Sequence, residues 1–254
     1  MQSQLRVAVI GGSGARFATS LGLEAGAVPD TPWGRPSGPV HAGRMGAHRI
    51  LWLARHGEPH AIAPHRVNYR ANIHALRACG ATHVIALNTV GGICAEAVPG
   101  SLWLPDQIID YTSGRESSLH DGALLSLEHQ EFADPYDAGL RGVLAAAAAG
   151  LGIVVLSRGV YGCTQGPRLE TAAEIRRMRR DGCDLVGMTG MPEAALARES
   201  GLPYASLSMV VNPAAGLSAE AITMDAILRE AEGCMVRALR VLERAVDLLA
   251  QPRG

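Results

Sequence analysis

Five stretches of this 254-residue chain put polar chemistry directly after apolar runs. Gly11-Gly12-Ser13-Gly14 follows residues 5–10, Arg55-His56 closes 49–54, and Asn88-Thr89-Val90-Gly91-Gly92 follows 82–87. Met188-Thr189-Gly190-Met191-Pro192-Glu193 follows 184–187, and Asn212 ends 204–211. Hydroxyls, glycine-loop N–H groups, a guanidinium and an imidazole are together the donors that grip an oxyanion. Lysine and arginine total 23, and every one is Arg. Chemistry that needs a lysine amine is therefore excluded from this chain, whether a Schiff base or the lysine of a Walker A loop. A phosphate held here must be held by Arg, His, hydroxyls and backbone amides, and Arg keeps its charge when partly buried.

Each of these stretches has a plainer reading. The glycine loops can be tight turns, Arg55-His56 a structural ion pair, and Asn212 a turn cap rather than an amide that reads a base edge as donor and acceptor at once. Gly11–Gly14 is neither a dinucleotide fingerprint, for want of the third Gly, nor a nucleophile elbow. Pro59 and Pro64 break any shared helical face for His56, His60 and His65, and no acidic partner has ligand spacing. That argues against a metal. Taken together, a phosphate cradle without lysine fits the stretches better than five unrelated turns.

The elements that must position these residues alternate. Strand-like runs are expected at 5–10, 40–45, 49–54, 82–87, 102–109, 153–161, 184–187 and 204–211. Helical patterns are expected at 68–79, 140–151, 170–180, 192–200 and 220–250. This alternation predicts a single α/β domain over 1–254 with a mostly parallel or mixed central sheet flanked by helices. Ligands in such sheets sit outside the carboxyl ends of strands, where the polar stretches fall. The least regular segment is 112–137, an excursion over the site or over a neighbour.

A net charge of −1 argues against general attraction to nucleic acid or anionic membrane. No apolar stretch is long enough to suggest a membrane span. The five Cys are widely spaced and odd in number, and read as reduced thiols of a cytoplasmic protein. Residues 1–6 lead straight into a strand-like run and do not read as a signal peptide.

The polar stretches, with Thr31-Pro32-Trp33-Gly34-Arg35-Pro36-Ser37, Val67-Asn68-Tyr69-Arg70-Ala71-Asn72 and Gln165-Gly166-Pro167-Arg168-Leu169-Glu170-Thr171, resemble the trimeric nucleoside phosphorylases. These are the purine nucleoside and methylthioadenosine phosphorylase group. The motifs run co-linearly from about residue 7 to 250. The resemblance implies attack of phosphate on C1′ of a purine nucleoside, a homotrimer, and no cofactor beyond phosphate as co-substrate. By similarity, Ser13, Arg55, His56, Thr89 and Thr189 hold phosphate, Met188 packs on the sugar, and Asn212 and Glu170 read the base. Pro213, Ala214 and Leu169 complete the base pocket.

Two departures bear on substrate. The adenine-specific members carry two Asp, two residues apart, where this chain has Asn212-Pro213-Ala214. An Asn can donate to N7 or O6 of a 6-oxopurine, and Glu170 can accept from N1–H. Where purine nucleoside phosphorylases place a His for the 5′-hydroxyl, this chain has Ile222, Met224, Ile227 and Leu228, which suit a thioether methyl. The combination resembles the bacterial methylthioinosine phosphorylases. Leu169 replaces the family's usual Phe against the base. The resemblance also implies that a neighbouring subunit's residue, His120 or another in 112–137, closes the 5′ pocket.

Overall fold

The computed structural model describes residues 5–12, 21–120, 122, 124–219 and 222–251. In chain order the elements are β1 (Val7–Gly11), β2 (His41–Met45), β3 (His48–Ala54), α1 (Tyr69–Ala78), β4 (His83–Gly92), β5 (Leu102–Trp103), β6 (Gln107–Asp110) and α2 (Ala138–Gly150). There follow β7 (Val155–Leu156), β8 (Val160–Cys163), α3 (Ala172–Arg180), β9 (Leu185–Gly187), α4 (Gly190–Glu199), β10 (Tyr204–Pro213) and α5 (Met224–Ala250).

Why these runs stack into one sheet is clear from β1. Its residues are buried on both faces. Val7 and Val9 pack with Leu144 of α2 and Met235 and Leu242 of α5. Ala8 and Ile10 point the other way, against Ile73 and Leu76 of α1 and Leu196 of α4. Successive strand residues face opposite sides, so a strand that is apolar throughout needs helices over both. Strand order is β2-β3-β1-β4-β10-β5-β7, with β9 pairing β4 and leading to β8 and β6. The expected mixed, mostly parallel arrangement holds: β1, β3, β4 and β10 run parallel, while β2, β5 and β9 each have an antiparallel neighbour.

β4 organises the site. Its first half lies between β1 and β10, but β1 stops at Gly11, and beyond it Gly91 and Gly92 pair with Val186 and Leu185 of β9. A crevice opens where β1 and β3 end and β4 continues.

Several sequence expectations are corrected. Asn88–Gly92 is not a turn but the second half of β4, because β9 and β10 pair with it on both sides. The run 102–109 splits into β5 and β6 around Pro105, which has no N–H for a ladder. The run 153–161 splits into β7 and β8 at Gly159, whose φ is +116°. Glu170 is not helical, since Thr171 and Glu174 form a capping box that starts α3 at Ala172. Asn212 lies inside β10, after an irregularity in pairing between Val210 and Asn212. α5 starts at Met224 under a Thr223 cap. Among the described residues of 112–137 there is no helix or strand. All five Cys are free thiols, and no helix of the described residues is long and apolar enough to cross a membrane.

Candidate active site

The crevice is a cavity of about 380 Å³. It is lined by Gly12, Arg55, His56, Thr89 and Thr189, and also by Leu169, Glu170, Asn212 and Ala214. Met188 lies on its wall, and Ile222, Met224 and Ile227 form a rim. Residues from several strand ends and loops thus meet in one space. Three expected site residues are not placed there: Ser13 falls outside the described residues, and Pro213 and Leu228 do not line the cavity.

Arg55 forms the ion pair that the sequence allowed, and it also lines the cavity. It is buried, and its Nε and Nη2 donate to the Glu193 carboxylate at 2.7 and 2.9 Å. Burial opposes the guanidinium charge, but Glu193 outweighs it and holds the Arg55 pKa above its ordinary value. Nη1 donates to the Leu87 carbonyl at 3.3 Å and lies 3.0 Å from where a Gly12 Cβ would stand. The ion pair therefore aims the remaining edge of the fork at the glycine loop. Glu193 also accepts from the Tyr204 hydroxyl at 2.9 Å and is itself fully buried. The buried cation is thus already neutralised, so an anion in the cavity would be held by directed N–H and O–H groups rather than by net charge.

His56 Nδ1 lies 2.7 Å from the Ile62 carbonyl. A carbonyl can only accept, so Nδ1 carries the proton and neutral Nε2 is left as an acceptor. Burial first, then the Arg55 charge, lowers the His56 pKa from 6.5 to about 4. This makes folding pH-dependent. A histidine with a depressed folded-state pKa contributes stability that is fully present above pH 6.5 and lost as pH falls towards 4. The free protein should lose about 3 kcal/mol across that window from this group. Melting curves at pH 7.5, 6 and 4.5 test it: His56→Gln should flatten the fall, and an unchanged slope would remove the assignment. The His60 ring lies against His56 at a tilt of 32°, with ring centres 4.4 Å apart. Among the described residues no His, Cys, Asp or Glu cluster is arranged to hold a metal ion.

Thr189 precedes the first residue of α4, is buried, and makes no side-chain cap bond to the helix. Its hydroxyl donates to Asn88 Oδ1 at 3.3 Å, and Asn88 Nδ2 donates to Ser206 Oγ at 2.9 Å. The Thr189 bond is long, so its proton can turn to an anion at small cost. At the base end, Asn212 Nδ2 donates to the Pro213 carbonyl at 2.7 Å. That contact fixes which amide atom is nitrogen, and leaves Oδ1 and the second N–H for a ligand. Glu170 accepts from Thr164 Oγ1 at 2.6 Å. Leu169 is 44% and Met224 63% exposed, so the cavity is open beside both residues in the single chain.

Sequence reasoning missed Glu193, Asn88, Thr164 and Arg115 as supports. Arg115 donates to the carbonyls of Met188, Met191, Thr164 and Gln165, tying the base loop to the end of β9. A buried Arg requires a counter-charge, which was a signal for Glu193, yet 138 residues separate the pair. His120 does not line the cavity of its own chain, and its Nδ1 lies 3.2 Å from the Ser126 carbonyl.

The phosphorylase superfamily model matches residues 6–247. A probable S-methyl-5′-thioinosine phosphorylase of Xanthomonas campestris pv. campestris is 54% identical over 227 residues, 89% of this chain and 91% of the relative. A 6-oxopurine nucleoside phosphorylase of Pyrococcus furiosus is 39% identical over 253 residues, 98% of this chain and 94% of the relative. The structure of a methylthioadenosine phosphorylase from Schistosoma mansoni in complex with adenine superposes with a TM-score of 0.93 at 31% identity, covering 98% of this chain and 93% of that one. With that match spanning nearly every element that builds the cavity, the chain belongs to the phosphorylase superfamily.

Proposed function

We propose that the chain is a purine nucleoside phosphorylase that converts S-methyl-5′-thioinosine and inorganic phosphate to hypoxanthine and 5-methylthioribose 1-phosphate. The observation that carries this reading is that Asn212, Glu170 and Ala214 line the same cavity as Arg55 and His56. Phosphate oxygen forms a bond to C1′ as the C1′–N9 bond breaks, and the bonding pair leaves with the purine. Asn212 can donate to N7 or O6 of the departing 6-oxopurine while Glu170 accepts from N1–H. Arg55, Thr89, Thr189 and the loop carrying Ser13 orient phosphate. His56 Nε2 can accept a hydrogen bond from the P–OH of hydrogen phosphate and so orient it. Nothing covalent is asked of the protein, so placement and directed dipoles do the work. Met188 meets the sugar, and Met224 and Ile227 take the methylthio group. No cofactor or metal is part of this scheme.

The test is a phosphorolysis panel of methylthioinosine, inosine, methylthioadenosine and adenosine. Methylthioinosine should show the highest kcat/KM. Faster release of adenine from methylthioadenosine would overturn the base assignment. A general 6-oxopurine phosphorylase is the second reading, favoured by the exposure of Met224, which leaves the 5′ wall open in this chain. Equal kcat/KM for inosine and methylthioinosine selects it.

Gly12 offers a separate test of the phosphate end. A Cβ there would stand 3.0 Å from Arg55 Nη1 and 3.1 Å from the Leu87 carbonyl, both held in place. Gly12→Ala should raise the KM for phosphate by about tenfold, the equivalent of one strained hydrogen bond, with the nucleoside KM little changed. Initial rates over a phosphate titration decide it.

We also infer that the enzyme works as a cytoplasmic homotrimer with small-molecule substrates and no nucleic-acid or membrane partner. The segment 112–137 supports assembly: it exposes Leu124, Leu125 and Leu127. Sedimentation velocity measures the assembly directly.

A further inference from the structure

We propose that Thr164 is a positioning residue for base selection, fixing the Glu170 carboxylate in the wall between two cavities so that one of its oxygens stays free for the base. The inference rests on the base-reading role given above to Glu170. Behind the cavity described above lies a second of about 390 Å³, lined by Asp110, Tyr111, Arg168, Glu174 and Arg177 among others. Glu170 borders both cavities, whereas Thr164 borders only the second. Glu170 sits on a loop ahead of the capped start of α3, so the helix does not fix its side chain. Two cations face the second cavity, and either could draw the carboxylate away from the base.

The structure supplies two restraints against that. Arg168 is held by Glu174 through Nη1 and Nη2 at 2.9 and 2.8 Å, and Arg177 lies over the Tyr111 ring and near Asp181. Thr164 is the direct tie. Its hydroxyl lies 2.6 Å from Glu170 Oε1 and 3.3 Å from the Gly187 carbonyl. It has one proton, and the shorter contact to a carboxylate takes it. The rest of Thr164 is fixed: its N–H donates to the Gly187 carbonyl at 2.8 Å, and its carbonyl accepts from Arg115 at 3.2 Å. A β-branched side chain on a fixed backbone has little freedom at χ1. With Oε1 engaged, Oε2 is the oxygen left for N1–H of a 6-oxopurine.

Thr164→Val keeps the shape and removes only the donor, while Thr164→Ser keeps the donor. Thr164→Val should lower kcat/KM for methylthioinosine by about tenfold, as expected for one hydrogen bond to a charged group. The loss should fall mainly on the nucleoside KM, with the phosphate KM unchanged. The preference for methylthioinosine over methylthioadenosine, which lacks N1–H, should narrow by a similar factor. Thr164→Ser should behave like the parent. In a Glu170→Ala background, Thr164→Val should have no further effect on that preference, because the group it positions is gone. If Glu170→Ala narrows the preference and Thr164→Val alone does not, the positioning role is overturned while the base reading stands. If Glu170→Ala leaves the preference unchanged, the base reading fails and this inference falls with it. Equal falls in kcat for both nucleosides, or failure of Thr164→Ser to restore the parent values, would show a structural role instead and also overturn it.

Discussion

Replacing Arg55 with Met is expected to destabilise the fold by about 3–5 kcal/mol, the usual cost of stranding one partner of a buried ion pair. Glu193 is fully buried, and the Tyr204 hydroxyl that it also accepts from cannot balance a charge. For a chain of this size the melting temperature should fall by roughly 6–20 °C. Phosphorolysis should fall by at least about a hundredfold, the scale of losing one directed donor to a developing charge. The double change Arg55→Met with Glu193→Gln separates the two effects. The glutamine amide keeps an acceptor for Tyr204 and removes the stranded charge, so most of the melting temperature should return while activity does not. Recovery of both would make Arg55 a structural residue only, and recovery of neither would mean the pair has a role beyond charge balance. Arg55→Lys should also fail, because one ammonium cannot span both Glu193 oxygens and still reach Leu87.

The second large effect is expected at the base. Asn212→Asp with Ala214→Asp should move the preference from 6-oxopurine towards 6-aminopurine nucleosides by about 10²–10³ in relative kcat/KM, from hydrogen-bonding changes of about 1–3 kcal/mol at each position. The carboxylates exchange a donor for acceptors, which suit the 6-amino group and oppose O6. Both positions line the cavity, so the new charges can face ligand and solvent rather than the core. Ala214 is buried, and the Gly91 Cβ position lies 3.3 Å from its Cα, so some loss of stability should accompany the switch. Competing methylthioinosine against methylthioadenosine in one reaction measures the ratio directly. An unchanged ratio would remove Asn212 from base recognition.

Much of the framework was legible from residue order. The apolar runs of β1, β3, β4 and β10 were visible because a strand covered on both faces has no polar positions to hide its pattern. The helix start at Asn68 belongs to a residue that caps well, whereas α5 begins under the Thr223 cap and not at 220 as expected. Boundaries failed where long-range pairing overrode local signals. Asn88–Gly92 reads as a turn by composition, yet it is strand because β9 and β10 arrive from far along the chain to pair with it. Glu170 reads as helix by its neighbours, yet the Thr171 cap leaves it in the loop.

The site divides the same way. Types and order alone exclude lysine chemistry and single out Arg55, His56, Thr89, Thr189 and Asn212 as groups able to hold an anion or a base, and the family resemblance adds Glu170. Which of their atoms are available is a tertiary matter. Arg55 donors are divided between Glu193 and the cavity edge, the His56 proton sits on Nδ1 because of the Ile62 carbonyl, and Glu170 is tied by Thr164. Side-chain chemistry is local and can be read from a string of letters. Charge balance, tautomer and orientation depend on whatever folding brings within about 3 Å, and only the assembled structure specifies that.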